Sequence, residues 1–238
     1  MKLFNDEIKK FYTMLYAREN FSVARYGDGE MLALRGVRIT SGAGEWVTNG
    51  SDLRYEIARR LLYESFTFKD PNYYVGIVCP CCQGQGNFMN MVNVSGQKDE
   101  NLTYANLFVN SNYKYFLEKF IPVFKQREKE IILVANKVSK IENLPFTVSE
   151  FHGIEYNGWI ENLSLIDELQ REDSGKLYLL ACGPLGKILS YKLWQNNKNN
   201  TYLDIGSCLH PWLQSDINIR GYYQTDSFHS NLTCTWGN

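Results

Sequence analysis

The feature that most constrains the fold is a set of short, unbroken apolar runs, of which Ile131-Ile132-Leu133-Val134-Ala135 is the clearest. Runs that are apolar at most positions occur at Phe21-Ser22-Val23-Ala24-Arg25-Tyr26, Tyr73 to Cys79, Lys176 to Ala181 and Thr201 to Ile205, with Arg25, Lys176 and Asp204 as their charged residues. A strand that is apolar at every position has no face to offer water and must be covered on both sides. Between the runs lie segments with helical spacing. Phe4, Ile8, Phe11, Tyr12 and Leu15 recur at intervals of three and four, and helices are also predicted from Glu30, at Tyr113 to Lys125, at Gly158 to Leu169 and at Gly186 to Gln195. Ser51 is a candidate cap for another helix, with Leu53, Ile57, Leu61 and Leu62 on one face. A further strand is expected at Phe146 to Ser149. Strands alternating with helices predict a doubly wound, Rossmann-like α/β fold with a mainly parallel sheet. No repeat or linker divides the chain, so residues 1–238 are expected to form a single domain. In such a fold the ligand site lies at the carboxyl ends of the strands.

Composition removes several functional classes. The 238 residues carry 25 Lys+Arg against 26 Asp+Glu, a formal charge of -1, which gives no basic excess for holding nucleic acid. At 44% hydrophobic the chain is neither disordered nor fibrous. No run of about 18 apolar residues is present, and the first ten residues alternate charged with apolar, so neither a transmembrane segment nor a signal peptide is expected. The reading is a cytoplasmic protein. Its six cysteines fit a reducing compartment, because they lack the even spacing of a disulfide scaffold. Cys79, Cys81 and Cys82 crowd one segment, but Cys-x-Cys-Cys with no second Cys/His pair nearby is poor zinc spacing and reads as a thiol cluster.

Four distinctive clusters fall at strand ends: Arg25 to Glu30, Asn136-Lys137, Gly183-Pro184 and Asp204-Ile205-Gly206. In the first, Gly27 and Gly29 free the backbone for close approach, while Asp28 and Glu30 are spaced to share one hard divalent cation. Arg25 beside them suits a phosphate oxygen. The plainer alternative is a turn in which Asp28 caps a helix and Glu30 strengthens its first turn. Gly183-Pro184-Leu185-Gly186-Lys187 follows a strand and opens a helix, so its amides and Lys187 suit an anion. It lacks Walker A spacing and serves equally as a proline-started helix packed close to its strand. Asp204 suits a ribose or sugar hydroxyl, or caps a short helix. Of His152, His210 and His229, location favours His210, four residues after Gly206.

These segments resemble the bacterial glycosyltransferases of the GT-D fold. Arg25-Tyr26-Gly27-Asp28-Gly29-Glu30 is similar to their Arg-Phe-Gly-Asp-Gly-Glu signature, Gly183-Pro184 with the helix after it to their Gly-Pro-Thr-Ala segment, and Asp204-Ile205-Gly206 to their Asp-Ile-Gly-His. The order is the same, over residues 20 to 212. The resemblance implies a nucleotide-sugar donor such as a UDP-sugar, a glycan or glycoconjugate acceptor, and Mn2+ or Mg2+ at Asp28 and Glu30. It also implies that Arg25 contacts the diphosphate and that Gly183 and Pro184 neighbour the nucleotide. Two departures stand out. Ser207 replaces the family's histidine, whose role either passes to His210 or is absent, and Leu185-Gly186 replaces Thr-Ala. Asp204, Glu150 and His210 are the candidate bases, and Trp46, Trp159 and the tyrosines offer flat faces to an acceptor sugar. Two alternatives remain: a nucleotide- or sugar-phosphate-binding module without transfer activity, and a metal-dependent phosphohydrolase.

Overall fold

A computed structural model describes residues 2–37, 53–214, 220–224 and 227–236. Its strands are β1 (Lys2–Leu3), β2 (Ser22–Arg25), β3 (Tyr73–Ile77), β4 (Leu102–Tyr104), β5 (Ile131–Asn136), β6 (Glu150–Ile154), β7 (Leu177–Ala181), β8 (Thr201–Asp204) and β9 (Thr235–Trp236). Seven of them form one parallel sheet in the order β4-β3-β2-β8-β7-β5-β6, and β1 pairs antiparallel with β9 beside it.

Alternate strand residues feed two cores. Ala24, Ile132, Val134, Tyr178, Leu180 and Tyr202 face one apolar layer, together with the helices Leu53–Thr67 and Pro184–Asn196. Val23, Ile131, Leu133, Leu177, Leu179 and Leu203 face the other, with Phe11 and Leu15 of the helix Phe4–Tyr16 and Phe116, Phe120 and Phe124 of the helical stretch 113–126. Burial of each such side chain contributes about 1.5–3 kcal/mol, and both faces are needed to accommodate runs with no polar side. The doubly wound fold is as expected.

Local differences have physical causes. The 146–149 segment is loop, and β6 begins at Glu150; as an edge strand it is half-exposed and carries no apolar run. The expected helix at 158–169 is two, Gly158–Glu161 and Leu165–Leu169, broken at Asn162. Leu53–Thr67 turns Tyr55, Ala58 and Leu62 inward and leaves Leu53 and Ile57 exposed. Ser51 and Trp46 lie outside the described residues, as does the side chain of His229.

Strand order sets the position of the site. From β2 the chain winds outward through β3 and β4, crosses to β5 and β6, and returns through β7 to lay β8 against β2. The winding therefore reverses between β2 and β8, where loops leave the sheet in opposite directions and open a crevice.

Candidate functional site

Arg25 ends β2, and Gly27 is the N-cap of the helix Asp28–Leu34. The expected Gly-Asp-Gly turn is thus the start of a helix. Gly27 is extended at φ -82° and Gly29 is helical, so neither adopts a left-handed backbone. Asp28 does not cap; Glu30 does the equivalent work, its Oε2 accepting the Gly27 N–H at 3.0 Å. Two other glycines carry the special conformations. Gly183 (φ 57°) turns β7 into the helix Pro184–Asn196, with Pro184 in its first turn, and Gly206 (φ 52°) lies against Arg25, where a Cβ would run into Nη2.

Beneath this turn is a largely buried network of four charged groups, of which Glu30 is partly exposed to the cavity. Lys187 Nζ lies 2.9 Å from Glu30 Oε1 and 3.2 Å from Asp204 Oδ2, and donates to the Gly183 carbonyl. The Arg25 amide donates to Asp204 Oδ2 at 2.9 Å, while its side chain donates from Nε to the Asp204 carbonyl and from Nη1 to the Ala105 carbonyl. Its guanidinium also lies over the Phe108 ring at 5.2 Å. Asp204 Oδ1 is buried without a hydrogen bond, 3.9 Å from Arg25 Nη2. Burial opposes the charge on Lys187, but Asp204 and Glu30 outweigh it and hold the ammonium pKa above its ordinary value. Burial likewise pushes the Glu30 pKa up, and Lys187 with the Gly27 amide outweighs it, leaving the carboxyl below its ordinary value. Two cations and two carboxylates balance formally.

A cavity of about 470 Å³ opens above the network. Arg25, Gly27, Asp28, Gly29 and Glu30 line it from β2, Gly183, Pro184 and Lys187 from β7, and Gly206, Ser207 and His210 from β8. All but one of the residues expected from the three motif segments meet there. Asp204 is the exception: it is fully buried, lies off the cavity wall and joins β2 to Lys187 instead of capping a helix or facing a ligand. Asp28 is exposed, its Oδ1 accepting the Gly29 N–H, so it brings a negative charge outside the balanced network. The donor set fits a hard divalent cation, which takes one or two carboxylates and completes its shell with phosphate oxygens and water.

Glu150 is placed elsewhere. It begins β6, at the opposite end of the sheet from the cavity, and its two oxygens accept from Arg171 at 2.7 Å and from His152 at 2.7 Å. Hydrogen bonds from Arg171 hold its pKa at about 2, so it is no candidate base. Trp159 lines the cavity but is buried, with its Nε1 donating to Asn157 Oδ1. Sequence reasoning missed Arg220 and Gln214 on the cavity wall; neither belongs to a motif.

No known protein-family model matches the chain, and no curated protein matches it. Solved structures do. A domain of unknown function (1792) described as having a distinct glycosyltransferase fold superposes with a TM-score of 0.60 and 15% identity, over 97% of this chain and 90% of that one. A protein from Streptococcus sanguinis described as a new glycosyltransferase of the same domain type gives 0.60 and 14%, over 97% and 93%. The chain has a glycosyltransferase fold.

Proposed function

We propose that this chain is a glycosyltransferase that moves a sugar from a nucleotide-sugar, a UDP-sugar by the resemblance of its motifs, to a glycan or glycoconjugate acceptor. The observation that carries this reading is the meeting of three segments, from residues 25–30, 183–187 and 206–210, around one cavity at the reversal point of the sheet. Asp28 would hold Mn2+ or Mg2+, with Glu30 beside it. When bound, the ion would supply charge neutralisation to the departing diphosphate. Lys187 and Gly27 grip both oxygens of Glu30, so that carboxylate is oriented before a donor arrives. Arg25 and the amide end of the helix Pro184–Asn196 present positive potential to the phosphates. His210 is the group we assign to take the acceptor hydroxyl's proton from the cavity wall. Asp204 is a positioning residue.

The test is thermal unfolding with UDP, GDP, TDP or CMP, each with and without Mn2+, on the wild type and Asp28→Asn. A ligand at about 100 times its Kd adds about 2.7 kcal/mol to stability. One nucleotide together with the metal should produce the shift, and Asp28→Asn should abolish it while lowering turnover about 10²- to 10³-fold. Turnover of the donor that does not rise with acceptor would assign the site to hydrolysis; no shift with any nucleotide would sink the donor site altogether.

A further inference from the structure

A second cluster of ligand-type side chains lies outside the donor cavity. Cys79 follows β3 and is the N-cap of the helix Pro80–Ser95; Cys81 and Cys82 sit in its first turn. Fold closure adds a fourth thiol from 152 residues further along, Cys234, immediately before β9. The four Sγ atoms lie within 4.8 Å of one another, with Cys79–Cys81 at 3.2 Å, Cys81–Cys82 at 3.9 Å and Cys82–Cys234 at 3.8 Å. None of these pairs is bonded as a disulfide. Four thiolates at about 2.3 Å from a tetrahedral zinc stand about 3.8 Å apart, the spacing these sulfurs already approach.

The surroundings suit thiolates. The Thr235 N–H points at Cys81 Sγ at 3.3 Å, Asn106 Nδ2 at both Cys82 and Cys234 Sγ at 3.7 Å, and Asn110 Nδ2 at Cys234 Sγ at 3.7 Å. Asn110 does so from a left-handed backbone (φ 56°). Donors turned on ligand sulfurs are the outer support that metal thiolates use. Cys79 and Cys234 are buried, while Cys81 is exposed, so the cluster has both a dry side and an entry side.

We infer that Cys79, Cys81, Cys82 and Cys234 form a tetrathiolate site for a structural zinc ion. On binding, four Zn–S bonds form and the four thiol protons pass to solvent. The ion would tie the end of β3, the start of the helix Pro80–Ser95 and the segment before β9 into one unit. That unit continues into the donor region, because Asn106 and Asn110 line a second cavity with Arg25, and the Ala105 carbonyl accepts from Arg25.

The experiment is metal analysis of the untagged full chain purified without chelators, followed by cobalt exchange. About one zinc per chain is expected, and cobalt should give the visible d–d bands and thiolate charge transfer of a tetrahedral site. The Cys82→Ser, Cys234→Ser double variant should lose the stoichiometric metal, and stripping the wild type should lower Tm by at least about 5 °C. Asn106→Ala should weaken zinc about 10-fold. Zinc absent even after anaerobic reconstitution, zinc retained undiminished by the double variant, or an intact mass short of two hydrogens per bridged pair would each overturn the assignment. The metal content of the wild type decides the matter even if the variants fail to fold, and none of these outcomes depends on the donor.

Discussion

Two clusters of ionisable groups lie in the loops at the carboxyl ends of the strands, and they are built on opposite plans. Around β2 and β8, Arg25, Lys187, Glu30 and Asp204 combine opposite charges, so burial is compensated from within. Beside β3, four cysteines present the same soft ligand to one point and have only weak amide donors around them. The first cluster is complete without help and acts as a scaffold; the second brings together groups that gain by sharing a cation. Asp28 is the exposed carboxylate just outside the balanced network, which is why it, with Glu30 beside it, and not Asp204 is proposed to hold the donor's cation.

The comparison is broken most severely at Lys187. Lys187→Met leaves Glu30 and Asp204 buried without their shared cation, and should cost about 3–5 kcal/mol, roughly 10 °C in Tm, by calorimetry. Unchanged stability would mean that the network is not self-compensating. Gly206→Ala forces a Cβ against Arg25 from a left-handed backbone and should cost about 1–3 kcal/mol in a denaturant titration, with nucleotide affinity falling in parallel. By contrast, Asp28→Asn should leave stability within about 0.5 kcal/mol while abolishing metal-dependent binding. A large stability loss there would place Asp28 inside the network after all.

The smallest effect is expected at the far end of the sheet. Glu150 is held below its ordinary pKa of 4.5, at about 2, so its pairing with Arg171 stabilises the fold above 4.5 and is lost as pH falls through about 2. It is partly exposed and screened, so Glu150→Gln should cost only about 1 kcal/mol at neutral pH. The difference from wild type should shrink between pH 4.5 and 2 in parallel melts, and a constant difference would show that the pairing contributes nothing through charge.

What was legible in the sequence follows the same division. Strands covered on both faces are largely apolar, so β2, β3, β5, β7 and β8 could be read from their apolar centres, and with them the loops that meet at the cavity. Edge elements left weaker traces. β4 has three residues, too few to show a period, and β6 reads Glu-Phe-His-Gly-Ile because half of it faces water. The helix Pro80–Ser95 was hidden by Gly84, which leaves helical geometry at φ 79° inside it. Lys187 was legible as a cation near a ligand, but its carboxylate partners come from the helix Asp28–Leu34 and from the end of β8. Cys234 stands alone in the sequence, and only the antiparallel pairing of β9 with β1 shows its association with the other thiols.

The placement of β8 beside β2 also orders events in time. The Arg25 amide finds its acceptor on Asp204, 179 residues later, and Val23 pairs with Leu203 across the middle of the sheet. A growing chain must therefore hold β2 with one side unpaired until residues 201–204 have left the ribosome, and contacts of such separation form slowly. Until then Lys187 lacks Asp204 and Arg25 lacks its anchor, so a partial chain ending before residue 201 has a half-built sheet and an incomplete cavity. The crossover from β7 to β8 completes the sheet and the cavity together.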